Sequence, residues 1–335
     1  MLCLGIESTA HTFGAGVVSE KGKILSNVLD TYRPPQGWGI KPIDAAEHHK
    51  KVFRNVIETS LKKADVNMKD IDVISVSHGP GLPPCLHVGV NIAKKLSQEN
   101  ALPLIGVNHC IAHIEISRLA TEARDPVVLY VSGGNTQIIS FVEGRYRCFG
   151  ESMDIGVGNA LDKFGRAAGL EFPAGPKIED LARRVEKKRK FQGYHGYIEL
   201  PYTVKGMDLS FSGIVTDAIR KLERGEKLED LCFSFQETLF SMLTEVTERA
   251  LAHTRKEEVI LTGGVAANSR LREMLSIMCK ERGAKFYTVP KELAGDNGAM
   301  IAWTGILIYK SSGCKEPVDI KPRERTDEVD VTWIK

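Results

Sequence analysis

The chain has 335 residues, 42% of them hydrophobic, with 45 basic and 43 acidic residues and a net charge of +2. This is enough for a large core in two domains, and the balanced charge confines any nucleic-acid surface to a local patch. Seven scattered cysteines, an odd count without a CxxC pair, argue for a reducing cytosol rather than a disulfide framework. No run of ~18 apolar residues suggests a membrane span, and the start MLCLGIEST lacks a basic n-region and a cleavage site, so a cytoplasmic protein without membrane contact is expected.

Taken in order, Leu2 to Ser8, Gly14 to Val18 and Ile24 to Tyr32 read as strands, the second pair joined at Glu20-Lys21-Gly22-Lys23. A helix is expected from Ile43 to Ala64, a strand from Asp72 to Ser77, and a helix from about Leu86 to Glu99. A strand from Leu104 to Val107 and a helix from about His109 to Thr121 close this βββαβαβα series. From Val127 the order begins again, with strands Val127 to Ser132, Gln137 to Val142 and Tyr146 to Phe149, then helices. A long helix from Leu228 to His253 leads to a strand Glu258 to Leu261, a helix Asn268 to Arg282, a strand Lys285 to Val289 and a last helix Gly298 to Tyr309.

The hairpin VVLYVSGGNTQIIS breaks on Gly133-Gly134-Asn135, residues that accept positive φ at low cost. Its tip, Ser132-Gly133-Gly134-Asn135, offers backbone amides without Cβ cover and is suited to phosphate or another anion. Gly263-Gly264, between a buried strand and a helix that starts at Asn268, supplies a second such turn and a helix N-terminus. Two copies of one α/β unit imply an α/β fold of two lobes around a cleft. That arrangement is similar to the actin, sugar-kinase and heat-shock-protein superfamily, with duplicated lobes and a central nucleotide cleft. The expected division is an N-terminal lobe 1–125, a C-terminal lobe 126–297, and a final helix and tail 298–335 packing back towards the first lobe.

His109 and His113 are spaced by four residues at a strand-to-helix junction, which places both imidazoles on one helix face ~5–6 Å apart at Cβ. Cys110 stands where an HExxH metalloprotease carries its general-base Glu, so a peptidase would lack its base. Asp296, flanked by Gly295 and by Asn297-Gly298 at the start of the final helix, and the phenol of Tyr130 would complete an N2O2 set. A phenolate favours iron, with zinc the other candidate for a single metal ion.

NHCIAHIEIS, LYVSGGNT, LDKFGR, LPYTVKGMDLSFSG, SFQET, LTGGVAANSRLREML and GDNGAM, in this order, resemble the catalytic subunit of the archaeal and eukaryotic KEOPS complex. That family, once labelled an O-sialoglycoprotein endopeptidase, is the tRNA N6-adenosine threonylcarbamoyltransferase family. The resemblance implies transfer of a threonylcarbamoyl group from threonylcarbamoyl-AMP to N6 of the adenosine 3′-adjacent to the anticodon, in tRNAs reading codons that begin with A. It implies tRNA, a KEOPS kinase subunit and small KEOPS subunits as partners, and threonylcarbamoyl-AMP, ATP or AMP as ligand. It makes His109, His113 and Asp296 metal ligands, with Tyr130 joining them or lying beside the metal. Substrate contacts are expected from Tyr130, Val131, Ser132, Gly133, Gly134, Asn135, Asp162, Gly175, Glu179, Gly263, Gly264 and Asn268. Ala174 and His87 depart from the Gly and Arg usual in this family at those places.

The basic run Arg183, Arg184, Lys187, Lys188, Arg189 and Lys190 is a candidate tRNA surface, and the apolar faces of Ile43 to Ala64 and Leu86 to Leu96 are candidate docking surfaces. Two rival readings use the same cleft. A phosphotransferase or ATPase would need Mg2+ and an acid near the first strand, where this chain has Glu7-Ser8-Thr9, and a nucleotide-gated scaffold would need no metal.

Overall fold

The computed structural model describes residues 1–35, 38–314 and 317–334. The first half contains β1 (Leu2–Glu7), β2 (Thr12–Ser19), β3 (Ile24–Thr31), α1 (Pro42–Ala64), β4 (Val73–Gly79), α2 (Pro83–Asn100), β5 (Leu104–Asn108) and α3 (His109–Ala120). The second contains β6 (Val127–Val131), β7 (Thr136–Val142), β8 (Arg145–Glu151), α4 (Val157–Ala167), α5 (Gly175–Gln192), β9 (Val204–Lys205), β10 (Asp208–Leu209), α6 (Ser212–Glu223) and α7 (Leu228–Thr254). It ends with β11 (Glu258–Thr262), α8 (Ser269–Glu281), β12 (Lys285–Thr288), α9 (Lys291–Ala294) and α10 (Gly298–Ser312). The small β9–β10 pair escapes the periodicity argument, because two-residue strands are too short to show alternation.

The strands form two five-stranded sheets, ordered β3-β2-β1-β4-β5 and β12-β11-β6-β7-β8. In each, three strands meander antiparallel and two join in parallel. Hairpin turns suffice for the first kind of pairing, whereas parallel partners need the crossover helices that separate them in sequence. The fold is therefore an α/β fold built from one unit used twice. Among the described residues no helix is long and apolar enough to cross a membrane.

α3 and α10 lie between the two sheets. Val107, Ile111, Tyr130, Ile260, Met300 and Ile306 belong to one buried cluster that draws on both halves. α10 approaches the first sheet backbone to backbone. A Cβ on Gly5 would lie 2.2 Å from the Ala302 amide nitrogen, and one on Gly298 would lie 2.3 Å from the backbone of Ala15 and Gly16. No other residue type fits this seat, and the seat fixes the residues just before α10.

After α10 the chain returns across the first sheet, where the Lys321 amide donates to the His78 carbonyl at 2.6 Å. Glu324 Oε2 accepts from His78 Nε2 at 2.9 Å and from Asn108 Nδ2 at 3.0 Å. Burial pushes the Glu324 carboxyl up, but His78, Lys321 and Asn108 outweigh it and bring it down to about 2. A carboxyl lowered on folding stabilises the native state above its unfolded value of ~4.3, and this contribution disappears as pH falls through about 2. Glu324→Gln is expected to cost ~1–2 kcal/mol at pH 7. Urea denaturation of both proteins should show the gap narrowing below pH ~4, and a gap independent of pH would contradict the assignment.

Candidate metal centre and nucleotide cleft

α3 begins at His109 because the Asn108 side chain caps it, its Oδ1 accepting from the amides of Cys110 at 3.0 Å and Ile111 at 3.2 Å. One turn later His113 stands on the same face, the two rings 4.8 Å apart. Asp296 enters from the other end of the chain, held just before α10 by the cap at Asn297, whose Oδ1 accepts from the Met300 amide at 2.9 Å. Nε2 of His109 and Nε2 of His113 both face Asp296 Oδ1, at 3.5 and 3.3 Å. One donor atom from each residue lies within 4.8 Å of the others.

The charges are coupled. Burial alone would keep His109 neutral, but the carboxylates of Glu7 and Asp296 on either side raise it to about 9. Burial, with the charge on His109, holds His113 below its ordinary value in spite of the Asp296 hydrogen bond. Asp296 is opposed by burial too, yet the two imidazoles hold it well below the usual carboxylate range.

Tyr130 lies fully buried with its ring 5.0 Å from that of His113, and its hydroxyl has no hydrogen-bond partner among the described residues. A buried orphan hydroxyl costs free energy unless a ligand or ion meets it. Burial, with Cys110 and Asp296 beside it, keeps Tyr130 a neutral phenol in the absence of a cation. Two imidazole nitrogens converging on one carboxylate oxygen, with an orphan hydroxyl beside them, fit a divalent or trivalent cation. Burial drives the Cys110 thiol up to about 12, so no thiolate is available on this helix.

β6 runs from Tyr130 through Val131 into the loop Ser132–Asn135. The expected turn chemistry is not what the loop uses, since neither Gly133 nor Gly134 has a positive φ. Instead the Ser132 amide donates to the Asn135 carbonyl at 2.8 Å and the Asn135 amide to Ser132 Oγ at 3.0 Å. The carbonyls of Ser132 and Gly133 accept from the amides of Gly158 at 3.1 Å and Asn159 at 3.0 Å, docking the loop on the start of α4. The close approach is made by Gly156 and Gly158, where a Cβ would lie 2.5 Å from the Gly133 carbonyl and 2.7 Å from the Ser132 carbonyl. The Cβ positions of Gly133 and Gly134 are open, and the amides of Gly133 and Gly134 have no partner among the described residues. Two adjacent free donors keep the anion-binding character that the sequence suggests.

Gly263 does carry the positive φ, +96°, and a Cβ on it would lie 2.2 Å from the Val131 carbonyl, so β11 and β6 end in contact. Asn268 caps α8, its Oδ1 accepting from the amides of Arg270 at 2.9 Å and Leu271 at 3.2 Å, while its Nδ2 donates to Gln236 at 3.0 Å. Its side chain is thus occupied by the fold, and α8 starts one residue later than the pattern suggests. Glu179 Oε1 accepts from the Ser269 amide and from Arg183, each at 3.0 Å, and from the Ser269 hydroxyl. Asp162 Oδ1 accepts from the Ala174 amide at 2.8 Å. Each carboxylate therefore has one oxygen committed to the fold and a second with no partner among the described residues.

The departure at Ala174 costs nothing in backbone terms, because its φ of −77° is open to any residue, and it precedes Gly175 at the start of α5. His87 is exposed on α2, whereas His109 and His113 are buried. The basic run lies exposed on α5, but much of it is already paired. Arg184 and Lys188 reach Glu229 at 3.5 and 2.9 Å, Arg183 reaches Glu179 at 3.0 Å, and Arg189 stacks 5.1 Å from the Phe233 ring. Sequence reasoning places Glu7 only in the phosphotransferase alternative and does not pair it with His109, whose Nδ1 lies 3.0 Å from its Oε2. The available signal was a carboxylate ending a strand of buried residues, which must find a partner.

The model of the family described as tRNA N6-adenosine threonylcarbamoyltransferase matches residues 23–303. A protein of that name from Thermococcus sibiricus is 56% identical over 99% of this chain and 100% of its own length. One from Thermococcus kodakarensis is 53% identical, again over 99% of this chain and all of its own. A Methanocaldococcus jannaschii protein named "Probable bifunctional tRNA threonylcarbamoyladenosine biosynthesis protein" is 53% identical over 100% of this chain, which spans 61% of that protein. Among solved structures, full-length HypF in its phosphate- and nucleotide-bound form superposes with a TM-score of 0.61 at 12% identity, over 94% of this chain and 56% of that one. A ROK family glucokinase from Streptomyces griseus superposes at 0.50 with 12% identity, over 91% and 99% of the two chains. These two similarities establish the fold alone, the actin-like and sugar-kinase fold with two duplicated lobes. With the family model covering most of its length and full-length relatives above 50% identity, the chain belongs to the tRNA N6-adenosine threonylcarbamoyltransferase family.

Proposed function

We propose that this chain transfers the threonylcarbamoyl group of threonylcarbamoyl-AMP to N6 of the adenosine beside the anticodon, in tRNAs reading codons that begin with A. The observation that carries the reading is the convergence of His109, His113 and Asp296 beside the hairpin loop that leaves Tyr130. Those three residues, with the orphan hydroxyl of Tyr130, would hold one metal ion, iron favoured by the phenol and zinc possible. When bound, such an ion supplies positive charge against the acyl adenylate and orients it.

The remaining work falls to the chain. An acyl adenylate is already activated, so the amine of the adenosine adds to the carbamoyl carbon and AMP departs with the electrons of the cleaved C–O bond. The proton lost from nitrogen passes to solvent or to the departing phosphate. No protein nucleophile is required, in keeping with the neutral, buried Cys110 thiol. Positioning dominates the barrier. The free amides of Gly133 and Gly134 would receive the phosphate, and the uncommitted oxygens of Asp162 and Glu179 would take ribose hydroxyls, with Gly175, Gly263, Gly264 and Asn268 shaping the nucleotide wall. The base must leave its stack to reach this site.

Glu7 weighs against the phosphotransferase alternative. It stands where that class needs a free acid, but it is fully buried and both its oxygens are taken by His109 and Thr9. The resemblance implies a separate kinase and small subunits as partners, and a groove of about 440 Å3 between α1 and α2, lined by Ile43, Phe53, Val88 and Ile92, would give them a docking face. Supplied with threonylcarbamoyl-AMP and unmodified tRNA, the metal-loaded chain alone is expected to show at most single-turnover transfer. Added KEOPS kinase and small subunits should restore turnover. Nucleoside analysis by mass spectrometry reads the product, and absence of threonylcarbamoyladenosine with all subunits present would refute the assignment.

A further inference from the structure

Glu7 ends β1 and is fully buried. Its Oε1 accepts from the Thr9 amide at 2.7 Å and from the Thr9 hydroxyl at 2.6 Å. Its Oε2 lies 3.0 Å from His109 Nδ1, and Thr9 Oγ1 lies 3.3 Å from the same nitrogen. An ionised carboxylate only accepts, so Nδ1 must carry the hydrogen between them. In the neutral ring, Nε2, on the Asp296 side, is then the nitrogen that keeps a lone pair for a cation.

We infer that Glu7, held by Thr9, is the positioning residue that selects the metal-binding tautomer of His109. The inference rests on the metal reading of the preceding section. It follows from donor and acceptor counting. Thr9 offers two donors to Oε1, so in Glu7→Gln the amide oxygen stays with Thr9 and the NH2 group turns towards His109. Nδ1 must then accept, which moves the hydrogen to Nε2 and blocks the atom that should meet the cation. The substitution preserves shape and volume, so the loss is one of tautomer and charge rather than packing.

The test is titration of Co2+ into the full chain freed of metal by chelation, with affinity measured by chelator competition and folding by thermal melting. Wild type should bind Co2+, and folded Glu7→Gln should bind it about 10–100-fold more weakly, the usual effect of losing a carboxylate behind a ligand histidine. If Glu7→Gln fails to fold, Thr9→Val decides: removal of the hydroxyl that holds Oε1 should weaken binding by about three- to tenfold. Co2+ affinity within about threefold of wild type in folded Glu7→Gln, or an unchanged affinity in Thr9→Val when the first variant does not fold, overturns the inference while the metal site stands. A wild-type chain that binds no Co2+ overturns the metal reading and this inference together.

Discussion

His109→Ala and His113→Ala are each expected to strip the metal and lower threonylcarbamoyl transfer by at least about a hundredfold, with the protein still folded. Each removes one of two ring nitrogens that converge on Asp296 Oδ1 at 3.5 and 3.3 Å, and one imidazole and one carboxylate beside the Tyr130 hydroxyl cannot hold a cation tightly. The fold should survive, because α3 keeps its Asn108 cap and its apolar residues Ile111, Ile114 and Ile116. His109→Ala also leaves Glu7 without the partner at Oε2, so its melting temperature should fall more than that of His113→Ala, whose Nδ1 has no partner to lose. Elemental analysis of protein purified without chelator, circular dichroism and the nucleoside assay provide the three readings. A double variant with full metal content and full transfer would end the metal-site proposal.

Gly298→Ala is expected to destabilise the protein by about 3 kcal/mol or more. The added Cβ would sit 2.3 Å from the backbone of Ala15 and Gly16, atoms that cannot rotate away as a side chain can. α10 must lift from β1 and β2 or the sheet must yield, and either movement displaces Asp296, two residues upstream. Loss of stability should therefore come with loss of metal. Gly134→Ala is the control: nothing lies within 4 Å of its Cβ position and its φ is not left-handed, so its stability should change by less than about 0.5 kcal/mol. Urea denaturation of both variants, with metal content measured alongside, checks the pair. A Gly298→Ala protein as stable and as metal-loaded as wild type would show that the seat of α10 is looser than its geometry indicates.

The duplicated order of strands and helices was legible along the chain because hairpins and crossover helices leave local signatures, alternation in one case and 3.6-residue periodicity in the other. The His109 and His113 pairing was legible for the same reason, since one turn of helix fixes the relation of residues four apart. Tertiary structure decided whatever depends on atoms distant in sequence. Asp296 meets His113 across 183 residues only because three glycine positions, Gly5, Gly16 and Gly298, let α10 settle onto the first sheet. Glu7 became the partner of His109 by strand order, and the loop at Gly133 and Gly134 docks on the start of α4 through the close approach of Gly156 and Gly158 rather than forming a left-handed turn. Asn268 and Glu179 were chosen from the chain as ligand contacts, yet the fold spends the Asn268 side chain and one Glu179 oxygen on the start of α8. A side chain's type limits the hydrogen bonds it can make, but which partners it meets depends on how the two sheets and the helices between them pack.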